Sequence, residues 1–482
     1  MNYSMIIGLE IHVQANTKSK MFCRCDAKYF NAPQNSHICP VCLGLPGALP
    51  VPNKEAIDKC VKLGLALKCD INKESKFDRK NYFYPDLPKG YQISQFDKPF
   101  AYNGYLEFDI KDDSRRIRIT RVHMEEDTGK SIHEGMTTYL DYNKSGIPLI
   151  EIVTEPDFTE VKEVNAFAKR LKQIVKYLDI SDADMEKGQM RFELNMSLRK
   201  EGEKGLPNYK VEVKNIGSIS VLEKVIEFEF NRQKDLLDKS EMPVQETRGI
   251  KDMTGKTFSQ RVKENSDDYR YFPEPDIPPI EYTISRLKEI EAGITELPQE
   301  KKHRYTSVYK LESNIAETII NSKARTEWFE ESIRGTKETK IIQEISKWFV
   351  GDLFALLKEA KMKFKDLKLP PSYFAKLLTM LFNNELSGAL AKQVLLEMFK
   401  TNKAPEIIVK EQNLEVISDA SVIIDIAKKV ISNNEKVIKD ISRNPNAIKF
   451  LVGQVMRETK GKADPRQAET ELRKLLNTAK IY

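Results

Sequence analysis

The sequence predicts an α+β protein, with a first part built on a large mixed or antiparallel sheet, then an all-helical domain and a small helical tail. Three observations predict this. Runs alternating apolar and polar residues, the two-residue period of a strand, are concentrated before residue 290. The stretch Pro273-Glu274-Pro275-Asp276-Ile277-Pro278-Pro279 then carries a density of proline that no helix interior or central strand accommodates. Beyond it almost every apolar pattern has helical spacing.

The first element is the apolar run Met5-Ile6-Ile7-Gly8-Leu9-Glu10-Ile11-His12-Val13-Gln14. Glu10 and His12 are two apart, so a strand points both to one face. An acid and an imidazole side by side suit a metal or a proton-transfer site. Next come Cys23-Arg24-Cys25, thirteen residues, and Cys39-Pro40-Val41-Cys42. Four thiolates satisfy tetrahedral Zn²⁺, and closed four-cysteine sites are usually structural. A redox pair at Cys39 and Cys42, or four ordinary thiols, are the alternatives. Cys60 and Cys69 fall on and just after the helical pattern Lys54 to Leu67 and read as packing residues.

Further helices are expected at Val161 to Leu178 and Ile219 to Asp238. Strands are expected at Tyr105 to Ile110, Ile117 to Val122, Phe192 to Leu198 and Tyr209 to Val213. After the proline-rich stretch, helical spacing covers Thr306 to Ser322, Lys340 to Met362, Pro371 to Asn383 and Ser387 to Phe399. A second shift at Thr401 to Pro405 precedes short helices that end with Thr470 to Thr478. The expected domains are therefore 1–292, 293–404 and 405–482.

Composition bounds the function. A chain of 482 residues with 40% hydrophobic and 31% charged content buries large cores. The net charge of +6 is too mild to indicate a nucleic-acid partner by itself. The segment Arg443 to Tyr482 is different, with nine Lys/Arg against four Asp/Glu. The start Met-Asn-Tyr-Ser lacks signal-peptide anatomy, and no apolar run approaches membrane-spanning length, so a cytoplasmic protein with reduced thiols and no membrane partner is expected.

Acids recur in apolar or strand-like settings. Glu125 lies in His123-Met124-Glu125-Glu126-Asp127, Glu151 in Ile147-Pro148-Leu149-Ile150-Glu151-Ile152-Val153, and Glu193 between Phe192 and Leu194. A buried carboxylate is costly unless paired or metal-bound. Mg²⁺ sites typically combine such carboxylates with substrate phosphates. A single buried glutamate also serves as a salt-bridged core residue, and spacing alone does not bring these acids together. The stretch Phe77 to Gln92 interleaves cations with aromatics, which suits phosphate contact and base stacking, or a polar-aromatic loop packed on a sheet. Gly255-Lys256-Thr257 is not a P-loop end, because five residues rather than four separate Gly249 from Gly255.

Longer blocks carry a resemblance. GLEIHVQ, CPVCLGLPGALPVPN, DRKNYFYPDLPKGYQISQ, HMEEDTGK, DYNKSGIPLIEIVTEPD, DADMEKGQMR, VEVKN, ETRG, DYRYFPEPDIPP and GQVMRETKGKADP run from Gly8 to Pro465. Through them the chain resembles the GatB family, one of the three components of the tRNA-dependent amidotransferase complex GatCAB. The resemblance implies a catalytic cradle domain, a helical domain and a tail that contacts tRNA. It implies that misacylated Glu-tRNA(Gln) or Asp-tRNA(Asn) is activated by ATP and Mg²⁺ at the side-chain carboxylate. Ammonia from the glutaminase component of the heterotrimer then displaces the phosphate, and the small third component is a connector. By resemblance His12, Glu125 and Glu151 are Mg²⁺ ligands, and Glu10 and Glu193 belong to a second metal position. Arg79, Lys80 and Lys89 then contact ATP phosphates or the tRNA 3′ end, Cys23, Cys25, Cys39 and Cys42 hold structural zinc, and Lys460, Lys462 and Arg466 contact tRNA.

The chain departs from the family pattern at two places. The usual Arg-Cys-Asp-Ala-Asn is here Arg191-Phe192-Glu193-Leu194-Asn195, whose glutamate reaches one methylene further. The usual Ala-His-Asp-Tyr-Arg-Tyr-Phe is here Ser266-Asp267-Asp268-Tyr269-Arg270-Tyr271-Phe272, without the imidazole. Two rival readings are a non-catalytic zinc-containing tRNA-binding protein and a stand-alone ammonia-dependent ligase.

Overall fold

The computed structural model describes residues 2–110, 113–262, 266–415, 420–434, 437–438, 445–459 and 461–478. The chain divides into two compact units, Met1–Gln299 and Glu300–Tyr482.

The first unit holds all the strands of the described residues. In chain order they are β1 Tyr3–Gln14, β2 Asp70–Ile71, β3 Glu74–Ser75, β4 Asp78–Asn81, β5 Tyr91–Ser94, β6 Ala101–Ile110, β7 Asp113–Glu126, β8 Lys130–Glu134, β9 Thr137–Asp141, β10 Pro148–Thr154, β11 Met190–Lys200, β12 Val211–Ile216, β13 Glu246–Ile250, β14 Thr257–Val262, β15 Phe272–Pro273 and β16 Ile280–Glu281. Nine of them form one sheet in the order β14-β13-β12-β11-β1-β10-β7-β6-β2. Every neighbouring pair is antiparallel except β12 and β13, which makes the sheet mixed.

Strand β1 lies inside this sheet, flanked by β11 and β10. Its two-residue alternation decides what each face carries. Ile7, Leu9, Ile11 and Val13 are buried in a core with Phe158, Phe167, Leu171, Leu222 and Val225. That core is closed by α1 (Lys54–Ala66), α2 (Val161–Tyr177) and α3 (Ile219–Asp238). Glu10 and His12 therefore point away from the helices. Asn53 accepts from the Ala56 N–H at 3.2 Å and starts α1, while Glu163 reaches back to the Glu160 N–H at 3.1 Å and starts α2. These three helices end within a residue of their expected bounds.

Three expected elements differ. Tyr209 precedes β12 rather than opening it, and its hydroxyl accepts from the Leu198 N–H and donates to Gln233, at 2.9 and 3.0 Å. The span Thr306 to Ser322 is broken between Pro298–Ser307 and Ser313–Ile320, because Lys310 takes a left-handed backbone with φ of 55°. Between Thr339–Trp348 and Phe354–Glu359 lies a π-helical turn, Phe349–Leu353, which widens the helix around the buried Phe349.

Among its described residues the regular elements of the second unit are all helices. It contains two buried apolar clusters, one from Tyr305 to Leu414 and one from Ile423 to Leu476.

Candidate active site

The sheet register brings the acids together. Across β11, β1, β10 and β7, Glu10 faces Glu193, His12 faces Glu151, and Glu151 faces His123. Glu125 lies two residues beyond His123 and so shares its face. Residues from positions 10 to 193 thus form one polar patch on the face opposite the helices.

The distances are short. His12 Nε2 lies 3.2 Å from Glu151 Oε2 and 3.6 Å from Glu10 Oε1, and His12 Nδ1 lies 4.0 Å from Glu193 Oε1. His123 Nε2 lies 3.6 Å from Glu125 Oε1 and 3.7 Å from Glu151 Oε1. Two cations flank the row. Lys80 Nζ is 3.5 Å from Glu125 Oε1, and Lys214 Nζ is 3.2 Å from Glu193 Oε2. Ser94 donates to Glu125 Oε1 at 2.7 Å and Gln92 donates to Glu125 Oε2 at 3.0 Å, which fixes this carboxylate from the β4–β5 hairpin.

Burial and charge drive the acids apart in proton affinity. Burial, with the like charges of Glu151 and Glu193, pushes Glu10 up to about 8. Burial also opposes ionisation of Glu151, yet the neighbouring His123, with His12, brings it down to about 2. At Glu125 burial is outweighed by Lys80 and then His123, so this carboxyl is held well below the usual range. Burial disfavours charge on His12, but its bond to Glu151 raises it overall.

Cation ligation is what this donor set suits. Glu125, Glu151, His12 and His123 are all buried. The Nδ1 atoms of both imidazoles are buried without a hydrogen-bond partner. Three groups of ligand atoms lie within 4.8 Å of one another: Glu10, His12 and Glu151; His123, Glu125 and Glu151; and Glu10, Glu193 and Glu212. Carboxylate oxygens and imidazole nitrogens of this kind fit a hard divalent ion such as Mg²⁺.

The comparisons with known proteins cover this site and the rest of the chain. The family model for the GatB/GatE catalytic domain matches residues 5–288, and that for the GatB domain matches residues 327–476. The aspartyl/glutamyl-tRNA(Asn/Gln) amidotransferase B subunit of Persephonella marina is 43% identical over 477 residues, covering 99% of this chain and 100% of that protein. The protein of the same name from Thermotoga maritima is 44% identical over 483 residues, covering 99% of each chain. The second such protein of Clostridium acetobutylicum is 44% identical over 482 residues, covering 99% of this chain and 100% of its own. The chain belongs to the GatB family of amidotransferase subunits.

In this GatB chain the other expected residues fall in distinct settings. Arg79 is engaged, its Nε and Nη2 donating to both oxygens of the buried Glu274 at 2.6 and 2.8 Å, and its guanidinium stacking on Tyr91 with the ring centre 4.4 Å away. Lys89 pairs with Glu126 rather than with the metal-type cluster. Lys80 is the basic residue of the three that reaches the cluster, over the ring of Tyr269 at 5.3 Å. Lys462 and Arg466 belong to the second unit, with Arg466 exposed, and Lys460 lies outside the described residues.

The sulfurs of Cys23, Cys25, Cys39 and Cys42 lie within 4.8 Å of one another. The Cys39 N–H donates to Cys42 Sγ at 3.2 Å, and the fully buried Lys20 places its ammonium 3.7 Å from the same sulfur. A bond from Cys23, aided by Lys20, draws the Cys42 thiol down to about 5. An all-sulfur donor set beside a buried cation fits a thiolate-bound Zn²⁺. Cys60 is fully buried and Cys69 nearly so, both in the core under α1.

Sequence reasoning passes over His123 as a ligand. The signal is present, since His123 and Glu125 have the spacing that singles out Glu10 and His12. Glu212 and Lys214 are hidden in a short strand, and nothing local marks their approach to Glu193. Asp127 is equally silent, yet it is buried beside Arg191 and Lys144 at 3.4 and 2.9 Å and accepts from Gln14 at 2.8 Å.

Proposed function

We propose that this chain activates the side-chain carboxylate of a misacylated tRNA, Glu-tRNA(Gln) or Asp-tRNA(Asn), with ATP, and supports its amidation to Gln-tRNA(Gln) or Asn-tRNA(Asn). The observation that carries this is full-length membership of the GatB family, with a buried carboxylate–imidazole patch inside the matched catalytic domain. A carboxylate is a poor electrophile, because amine attack would have to expel an oxide. Transfer of the γ-phosphoryl group forms an oxygen–phosphorus bond and releases ADP, and ammonia then displaces phosphate. Positioning and charge neutralisation dominate such a transfer.

His12, Glu125 and Glu151 are the residues assigned to Mg²⁺, with Glu10 and Glu193 as neighbours, and the bound ion would neutralise phosphate charge. Ser94 and Gln92 hold Glu125 in place for this. Of Arg79, Lys80 and Lys89, assigned to ATP or the tRNA 3′ end, Lys80 is nearest the carboxylates. Arg79 and Lys89 would bring their charge to a phosphate through pairs with Glu274 and Glu126. The four cysteines are assigned to structural Zn²⁺.

Residues 1–292 are taken as the catalytic cradle, 293–404 as a helical domain and 405–482 as a tRNA-contacting tail with Lys460, Lys462 and Arg466. The glutaminase and the small connector of a GatCAB heterotrimer are the protein partners, and the setting is cytoplasmic. Among the described residues no helix is long and apolar enough to cross a membrane.

The test is the reconstituted complex with each misacylated tRNA, glutamine and labelled ATP. Amide formation coupled to ATP cleavage is expected. Amidation without ATP, or tRNA binding with no turnover, would overturn this reading.

A further inference from the structure

We propose that Arg121 receives the side-chain carboxylate of the aminoacyl group, and so sets the preference for an acidic aminoacyl-tRNA over its amide product. This rests on the reading that the carboxylate is activated at the acidic patch. Strand β7 carries Arg115, Arg116, Arg118 and Arg121. The first three are exposed, and they pair with Glu163, Glu107 and Asp157 in turn. Arg121 is half-buried and has no carboxylate partner among the described residues. Its Nε is closed off from solvent without a hydrogen bond. A half-buried guanidinium without a counter-ion is costly, and an entering carboxylate relieves that cost.

The strand is built to aim Arg121 at the patch. Ile117 and Ile119 lie in the core, and so do Val122 and Met124. The core positions of β7 therefore change from odd to even between Ile119 and Val122. A β-bulge makes the change: Arg121 pairs with Val153 of β10 while Ile119 pairs with Thr154, which leaves Thr120 as the extra residue. Arg121 is the first residue past the bulge to face the patch, followed by His123 and Glu125. Unbroken alternation would have turned all three into the core.

Val153 is the register partner of both Glu10 and Arg121, so it alone separates them across the sheet. At about 4.8 Å between strands, the two backbones are about 10 Å apart. Lys80 stands at the other end of the patch beside Glu125, which lies about 13 Å along β7 from Arg121. Burial pushes the Tyr271 phenol up, and Lys80 and Arg121 both oppose the rise, so this one ring is within electrostatic reach of both cations. Two anions meet in the proposed reaction, a nucleotide triphosphate and an acceptor carboxylate. Lys80 and bound cations serve the phosphates. Arg191 is engaged by Asp127 and Lys214 by Glu193, which leaves Arg121 as the uncommitted cation for the carboxylate. Its planar fork matches both carboxylate oxygens. Amidation removes the negative charge, so the product loses this attraction.

The experiment uses the reconstituted complex with wild-type, Arg121→Gln, Arg121→Met and Arg121→Lys chains. Glu-tRNA(Gln) is the substrate and Gln-tRNA(Gln) the competitor; Asp-tRNA(Asn) and Asn-tRNA(Asn) replace them if the wild type turns over only the aspartyl substrate. In Arg121→Gln, kcat/KM for the substrate should fall roughly 10–100-fold, the scale of a hydrogen bond to a charged group. The amide product should then compete about as well as the substrate, while KM for ATP stays unchanged. The melting temperature should not fall, because no buried partner is stranded. Arg121→Met repeats the removal of charge should the glutamine variant not fold, and Arg121→Lys should regain part of the rate and of the preference. A raised KM for ATP with the preference intact would give Arg121 to a phosphate and overturn the proposal. An unchanged preference overturns it too, as does a fall in melting temperature that accounts for the lost activity. No ATP cleavage by the wild type with either misacylated tRNA would overturn the activation reading itself.

Discussion

The Asp127 carboxylate receives the Arg191 guanidinium at 3.4 Å and the Lys144 ammonium at 2.9 Å, and all three lie beside the acidic patch without belonging to it. Burial works against the Asp127 charge, and Arg191 and Lys144 more than offset it, holding the carboxyl below its usual value. At Lys144 burial, reinforced by Arg191, outweighs the attraction of Asp127 and pushes the ammonium down. Asp127→Asn leaves two neighbouring cations facing a neutral amide, and should cost about 3 kcal/mol, the lower end for breaking a buried pair, since Arg191 keeps some solvent contact. The folded-state value is depressed, so this stabilisation is present above the unfolded-state value of about 3.9 and is lost as pH falls toward the folded one. Thermal melting should show the gap between wild type and variant narrowing below about pH 4. A gap of constant size down to about pH 2 would remove Asp127 from the acid response.

Glu125→Gln should abolish ATP-dependent phosphorylation while tRNA binding survives. Gln92 keeps an acceptor in the new amide oxygen, and the Ser94 hydroxyl, which donates in the wild type, turns to accept from the amide N–H, so the loss is one of charge rather than of fold. Acyl-phosphate formation should fall by at least ~10²-fold, the scale on which removal of one preorganised electrostatic group is felt. Acyl-phosphate formation at the normal rate in this variant would show that Glu125 has no part in the transfer.

Arg79 tests a choice between substrate contact and scaffold. Its fork is closed on Glu274, whose side chain has no exposed surface. This pair ties β15 to β4, because Phe272 and Arg79 are register partners. Arg79→Ala strands a buried carboxylate, for which a loss of about 3–5 kcal/mol is expected. Arg79→Lys should recover little, since an ammonium cannot reproduce two parallel bonds. Melting temperature against the KM for ATP separates the roles: a scaffold residue lowers the first and leaves the second nearly unchanged.

How far the site can be read in advance depends on the range of the signal. Glu10 and His12 are legible because strand alternation acts over two residues. The three core helices are legible for the same reason at a period of 3.6. What brings Glu151 to His12 is the pairing of β1 with β10, two strands far apart in sequence, and no local pattern encodes that register. The halt at Lys310 is equally hidden, because a left-handed lysine has no distinctive composition. His123 is the avoidable omission. It obeys the rule that picks out Glu10 and His12, and is missed because the acids of its own run draw the assignment.

Zinc removal should act on order before it acts on chemistry. The loop from Cys25 to Cys39 contains little regular structure; the four sulfurs gather its ends, while Asn35 donates to the Leu140 carbonyl at 2.9 Å and the His37 N–H to Asn143 at 2.8 Å. Structural zinc sites supply about 10–16 kcal/mol of apparent binding energy at neutral pH. Chelation should therefore expose the segment around residues 26–51 to protease while the sheet core melts separately. Cys39→Ser should lower zinc content and give the same cleavage pattern. Full zinc content in that variant would exclude Cys39 as a ligand.

The tail should respond to salt rather than to sequence. Arg466 is exposed near the start of the helix Pro465–Thr478, and Lys462 is half-buried just before it. If charges so placed meet a phosphate backbone, as proposed, counterion release makes the logarithm of affinity linear in the logarithm of salt. Each lost phosphate contact should reduce the magnitude of that slope by ~0.7–0.9. Neutralising Lys460, Lys462 and Arg466 together should lower it by roughly two units if all three make contact. The same change should weaken binding about equally for both misacylated tRNAs, because phosphate contacts carry no base identity. An unchanged slope would place the tail off the tRNA and leave its positive surplus as a solvated face. A slope change accompanied by a shift in preference between the two tRNAs would instead point to base contacts from this helix.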